Sequence, residues 1–143
     1  MSAEPDVRYA SWLSRVFAYL IDVALILVAI VVIYALVLPH VSQGVGIAIF
    51  ALVILGGAFG YWAVCEATEA GQTLGKRALG IRVRSTSGAR ASYGQAFGRN
   101  LVRLVLGFIS IVGIVDGLWP LWDARNQSMH DKIASTIVTA VPR

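Results

Sequence analysis

The residues best placed to do chemistry in this chain are Arg15 and Asp22, two opposite charges in the front of its first long apolar stretch. A charge inside hydrocarbon is costly and faces a bundle interior, a water-filled cavity or a partner, so each is a candidate functional residue. Seven positions on a helix of ~3.6 residues per turn return to nearly the same face about two turns, roughly 10 Å, further on. From near the polar end the long Arg15 side chain can snorkel to head groups, whereas the short Asp22 side chain cannot reach water from its depth. Two roles fit such a carboxylate. It can bind a cation or carry a proton, or it can form a buried ion pair or hydrogen bond that ties helices together. Its candidate partners are Arg15 itself, Lys76, Arg77, Arg99 and Arg103.

Other candidates are weaker. Asp116 is a second carboxylate within an apolar stretch and reads as the mark of a hairpin turn, with Asp123 and Asp131 just beyond. His130 and Asp131 could titrate near neutral pH, but adjacent residues do not face each other on a helix, and they read as surface groups. The single Cys65 excludes an internal disulfide and reads as a small apolar filler. The run from Ala70 to Gly75-Lys76 resembles the start of a phosphate-binding loop, yet Arg77 stands where Ser or Thr is needed and an apolar stretch precedes it. No metal-ligand spacing and no nucleophile setting is visible, so the chain reads as a non-enzyme with no metal and no cofactor.

The elements that must position these residues are membrane elements. Hydrophobic residues make up 57% of the 143 and charged residues only 14%, and the mean hydropathy is +0.73; no soluble domain has that balance. The expected architecture is a single all-α membrane domain over residues 1–143 with two full spans. A loose polar tail covers 1–11, helix 1 runs over 11–38 to Pro39, and helix 2 runs over 46–65, each near the ~20 apolar residues a bilayer needs. The first run is too long for a signal-peptide core and lacks a basic start, so it should be retained. Gly56 and Gly60 form a small-xxx-small pair that could pack against helix 1. Residues 66–92 form a basic segment in which Ile81 to Arg84 and Ala89 to Tyr93 alternate as a small hairpin around Ser87-Gly88. Such a hairpin must lean on something, either lipid or the strand-like tail 136–141. Ser92 and Gln95 open an amphipathic helix over 92–104. A third apolar element over 104–122 is short for a span and reads as a broken helix or hairpin, followed by a tail at 123–143. Basic residues crowd the segment after helix 2 and are absent from the connector around Pro39 to Gly44, which places the N-terminus and the basic segment in the cytoplasm of a multi-pass inner-membrane protein. Arg82, Arg84, Arg90 and Arg103 read as lipid-facing contacts to anionic head groups. Membrane topology accounts for the positive charge, so no nucleic-acid partner is expected.

Four blocks carry a family resemblance: Arg15-Val-Phe-Ala-Tyr-Leu-Ile-Asp22, Gly71-Gln-Thr-Leu-Gly-Lys-Arg-Ala-Leu-Gly-Ile-Arg-Val83, Arg99-Asn100, and His130-Asp131-Lys-Ile-Ala-Ser-Thr136. In order and between apolar spans they resemble the RDD family of small bacterial membrane proteins. The resemblance implies that Arg15, Asp22 and Asp131 are the arginine and two aspartates of the family name, with Lys76, Arg77, Arg99, Asn100 and His130 beside them. Asp116 has no motif match. Ser135 stands where the family usually has glycine. The family implies a transport role, in some members the exchange of sodium or other monovalent cations for protons, but kinship does not fix function. Three short elements do not easily enclose a pathway, so transport would require a homo-oligomer or another membrane protein. The alternative is a non-catalytic scaffold with a structural Arg/Asp network. A polar cavity reaching Asp22 would favour transport, and a closed contact between Arg15 and Asp22 would favour the scaffold.

Overall fold

The computed structural model describes residues 7–142, and within them the chain is mostly helical with one small sheet. Helix α1 spans Trp12–Leu36 and starts where the Ser11 hydroxyl accepts from the Ser14 N–H. It contains no proline or glycine, and at 25 residues it is roughly 37 Å long. Pro39 lies in a 3-10 turn, Leu38–His40, that ends it. Helix α2, Gln43–Leu55, continues through a π-turn at Gly56–Tyr61 into α3, Trp62–Glu66. The runs Trp12–His40 and Gln43–Glu66 are both long and apolar enough to cross a membrane. Their surfaces suit lipid: only Ala18 and Asp22 are buried on α1 and no residue of α2 is, while Val31, Tyr34, Leu36 and Leu52 are each more than 60% exposed. The expected packing of Gly56 and Gly60 on helix 1 is not found. Both face open space, and Gly57 instead meets Ile26, because the π-turn rotates the glycine face by the extra residue it inserts.

The polar end of the molecule is a cap built from four separated segments. Helix α4, Leu74–Ala78, is capped by the Thr73 hydroxyl and leads into β1, Ile81–Ser85. The partner of β1 is β2, Thr136–Ala140, antiparallel, with Val83 opposite Val138. The hairpin expected between 81–84 and 89–93 therefore does not form. The Ser85 N–H reaches the Ala89 carbonyl around the turn, but Ser92 then caps helix α5, Tyr93–Phe108, and ends any ladder. The N-terminal stretch expected to be loose is ordered where it is described. Tyr9 bridges Thr139, the Ala10 N–H donates to the Val138 carbonyl at 2.9 Å, and Ala10 is buried with Ala18, Ile81, Val83, Ala91 and Val138 in one core. Residues 1–6 of that expected tail lie outside the described residues.

The third apolar element folds back. After α5 the backbone breaks at Ile109 and α6, Ser110–Leu118, returns, so close to α5 that a Cβ on Gly113 would lie 3.1 Å from the Gly107 Cα. A 3-10 turn at Trp119–Leu121, a loop, and the short helix α7, Met129–Ile133, then lead to β2. The indole N–H of Trp12 donates to the Gly117 carbonyl at 2.8 Å, tying the end of α6 to the start of α1. The chain's tail, its basic segment and its first described residues therefore meet at one end.

Candidate functional site

Asp22 is almost fully buried, 1% exposed, and is held by groups that carry no charge. Its Oδ1 accepts from the Tyr61 hydroxyl at 2.9 Å and the Gly75 N–H at 2.8 Å, and its Oδ2 accepts from the Thr73 hydroxyl at 2.6 Å. Tyr61 is presented by the π-turn and also accepts the Leu74 N–H, closing the ring of donors. Glycine is required at 75, because a Cβ there would sit 2.0 Å from the Ala18 carbonyl oxygen on α1. Gly71 is required as well. Its φ is +64°, and a Cβ would meet the Val83 carbonyl oxygen at 2.3 Å. The block Gly71-Gln-Thr-Leu-Gly-Lys is thus a loop whose glycines let it press against α1 and β1, and whose Thr73 and Gly75 seat Asp22.

Arg15 does not pair with Asp22. Its guanidinium bonds Asp131 and the Asn126 carbonyl, with the Ser128 hydroxyl at 3.4 Å. Asp131 is fully buried and also accepts the Ser128 N–H, as the third residue of the α7 capping box. On its other side Arg99 approaches, Nη1 to Oδ1 at 3.1 Å. Arg99 also lies 3.5 Å from Glu66, which takes Lys76 Nζ at 2.5 Å and the Asn100 amide at 2.9 Å. Asp116 completes the chain by accepting from the His130 ring Nδ1 at 2.6 Å and the His130 backbone N–H at 3.0 Å. With Nδ1 as the donor, Nε2 is left to accept from Ser128 Oγ at 2.9 Å and Arg99 Nη2 at 3.4 Å, the pattern of a neutral ring. Burial pushes the His130 imidazole below its usual value, and the neighbouring Asp131 and Asp116 do not restore it. Burial alone would raise Asp131, but the Arg15 and Arg99 guanidiniums outweigh it and hold the carboxyl well below the ordinary range.

Several expectations change. His130 and Asp131 are buried rather than on the surface, because α7 packs against α5. Asp116 is not a turn marker. It is 4% exposed and joins the network through His130, since the fold-back of α6 carries it to the level of Arg99. Arg77 is exposed and stands outside the network, whereas Lys76, Arg99 and Asn100 are buried within it. Of the expected lipid-facing residues, Arg90 pairs with exposed Glu69, and Arg82 and Arg84 line a wide groove with Arg8 and Arg125. Arg103 points inward instead. Its guanidinium stacks on Tyr19 at 4.3 Å and lies 5.3 Å from Trp62, lining a cavity of about 840 Å³. That cavity is bounded by α1, α2, α3, α5 and α6. It reaches Arg15, Lys76, Arg99, Asp116 and His130 but is not lined by Asp22. Sequence reasoning passed over Glu66, Tyr61, Thr73 and Asn126. Glu66 had a signal, as the first carboxylate closing a long uncharged stretch, while the others are polar residues whose partners lie far along the chain.

A family model described as the RDD family matches residues 9–135. The chain belongs to the RDD family. Over 72 residues it is 35% identical to proteins called "Proline-rich antigen homolog" in two strains of Mycobacterium tuberculosis, an alignment covering 50% of this chain and 29% of each relative. Over 78 residues it is 31% identical to the "Uncharacterized protein YxaI" of Bacillus subtilis, covering 54% of this chain and 49% of that protein. The matches thus span half or less of these relatives' length. No solved structure matches the chain.

Proposed function

We propose that this RDD membrane protein is a non-catalytic module in which a polar cap is clamped onto two membrane-crossing helices by buried carboxylates. One observation carries the reading. Among the described residues, each of the four buried carboxylates, Asp22, Glu66, Asp116 and Asp131, is paired with groups from another segment, and Asp22 does not line the cavity. Removing one partner of a buried pair destabilises strongly, so such pairs suit holding segments together. On this reading the cap lies in the cytoplasm of a bacterial inner membrane, since the basic residues gather at its end and the connector at the far end has none. The exposed apolar faces of α1 and α2 meet lipid and further copies of the chain or another membrane protein.

A second reading, exchange of monovalent cations for protons, is favoured by the reach of the cavity to Arg15, Asp116 and His130. The two separate in purified protein reconstituted into liposomes. The clamp reading expects no sodium-driven proton flux from wild type, and expects Asp22→Asn to lower the thermal midpoint in detergent, since the amide opposes a hydroxyl or N–H donor. Gradient-driven cation flux in wild type overturns it, and loss of that flux in a folded Asp22→Asn protein would assign the role to Asp22.

A further inference from the structure

We propose that the cavity between α1, α5 and α6 binds one anionic phospholipid, with its phosphate at Arg103 and an acyl chain along the apolar wall of α1. The site does not depend on the clamp reading, because it uses the space that reading leaves empty. Four cations, Arg15, Lys76, Arg99 and Arg103, line its polar end; the first three are paired with Asp131 and Glu66, which leaves Arg103 for a ligand. Among the described residues Arg103 has no carboxylate partner. Its flat face is taken by Tyr19 and Trp62, which leaves the in-plane N–H donors free. A guanidinium stacked on aromatic rings with free edges is arranged to grip a phosphate bidentately. Arg99 adds to this. It lines the cavity with its Nε and Nη1 turned to Glu66 and Asp131 at 3.5 and 3.1 Å, so it supplies charge behind the site while Arg103 supplies the free donors.

The shape of the cavity distinguishes a lipid from a small anion. Along α1 it runs from Arg15 past Val23 and Ile26 to Ile30, which is roughly 22 Å at ~1.5 Å per residue. That exceeds the roughly 15 Å of one leaflet of a ~30 Å hydrocarbon core, so there is length for a head group and a chain. About 840 Å³ lies within the ~300 to 1,000 Å³ of ordinary ligand pockets. Beyond the arginines the wall is aliphatic and aromatic, with Leu27, Ile54 and Phe108 facing the space. Inorganic phosphate would use the charged end and leave that wall empty.

Native mass spectrometry of the detergent-solubilised full chain tests the site with phosphatidylglycerol, phosphatidylcholine and inorganic phosphate added separately. The expected result is one phosphatidylglycerol retained per chain, held about tenfold more tightly than phosphatidylcholine, as one charge-assisted contact allows. Arg103→Gln should weaken that binding about tenfold, Arg103→Lys should recover part of it, and Arg90→Gln, on the outer surface, should leave it unchanged. Ile30→Trp, which fills the far end, should cost affinity for long-chain but not short-chain phosphatidylglycerol. It also keeps the chain placement testable should Arg103→Gln fail to fold. Equal retention of the two lipids, equal effects of Arg103→Gln and Arg90→Gln, or an Ile30→Trp protein blind to chain length each overturn the proposal. Full competition by inorganic phosphate would make this a small-anion site instead.

Discussion

Asp22 is 1% exposed among donors that carry no charge, whereas Asp131, 0% exposed, sits between the guanidiniums of Arg15 and Arg99. The same side chain at similar burial is thus stabilised in two ways. Around Asp22 the donors come from one tight loop and a tyrosine on the π-turn, and their quality depends on how closely α4 approaches α1. Around Asp131 the partners are long side chains from α1 and α5, and Arg99 is shared with Glu66. The first region is governed by backbone fit and the second by charge balance. They should therefore break differently.

The largest effect belongs to Arg99→Leu, which strips a counter-charge from both Asp131 and Glu66. Removing one partner of a buried pair costs roughly 3 to 5 kcal/mol, so the purified protein should melt far below wild type or fail to accumulate. Gly75→Ala attacks the other region. The new Cβ collides with backbone at 2.0 Å, and overpacking of this kind costs about 1 to 3 kcal/mol. Its signature should be local: faster proteolysis in the exposed segment Thr68 to Ala70, with the Arg99 network still in place. If Gly75→Ala melts the whole chain as severely as Arg99→Leu, the two regions are one cooperative unit and the distinction fails.

A pH titration sharpens the contrast further, because a histidine lies in one region alone. The folded His130 has its pKa lowered by burial, so below about 6.5 the unfolded chain takes up a proton that the folded one refuses. The thermal midpoint should fall as pH drops through that window towards the lower folded value, and His130→Gln should flatten the slope. Asp131 acts further down. Its depressed folded pKa gives stability that is full above the ordinary carboxylate range near 3.9 and is lost as pH falls towards the folded value. A slope between pH 7 and 5 that persists in His130→Gln would point to another group. Arg90→Ala is the smallest change. Its partner Glu69 is 84% exposed, and the midpoint should move by less than about 0.5 kcal/mol equivalent.

How much of this was legible depended on the distance over which each partner acts. The two long apolar helices, the proline stop, the Ser92 and Gln95 cap and the return of the third element follow from local pattern and length, and the fold carries them. The shared face of Arg15 and Asp22 was readable too, but their partners were not. Charges roughly 10 Å apart along one helix do not meet, and their partners come from later segments: Tyr61, Thr73 and Gly75 for Asp22, and Asp131 on α7 for Arg15. The strand pairing was half legible, since the tail at 136–141 was one of the two supports expected for the 81–84 strand. Alternation at 89–93 matched a hairpin, yet β1 took the tail at 136–140, where Thr136, Ile137, Val138 and Thr139 are buried on both faces of the strand. Whether a polar residue ends in the network or outside it was equally hidden, as neighbouring Lys76 and Arg77 show.

The pairing of Arg15 with Asp131 also sets an order of events during synthesis. Ribosomes add about 5 to 20 residues per second, so on the order of ten seconds separate the two residues. Through that interval the first helix is already made, while the carboxylate that neutralises its arginine, and the strand that completes the sheet, have yet to leave the ribosome. The early chain must wait with Arg15 in water or among lipid phosphates, and its final seat opens only when α7 arrives.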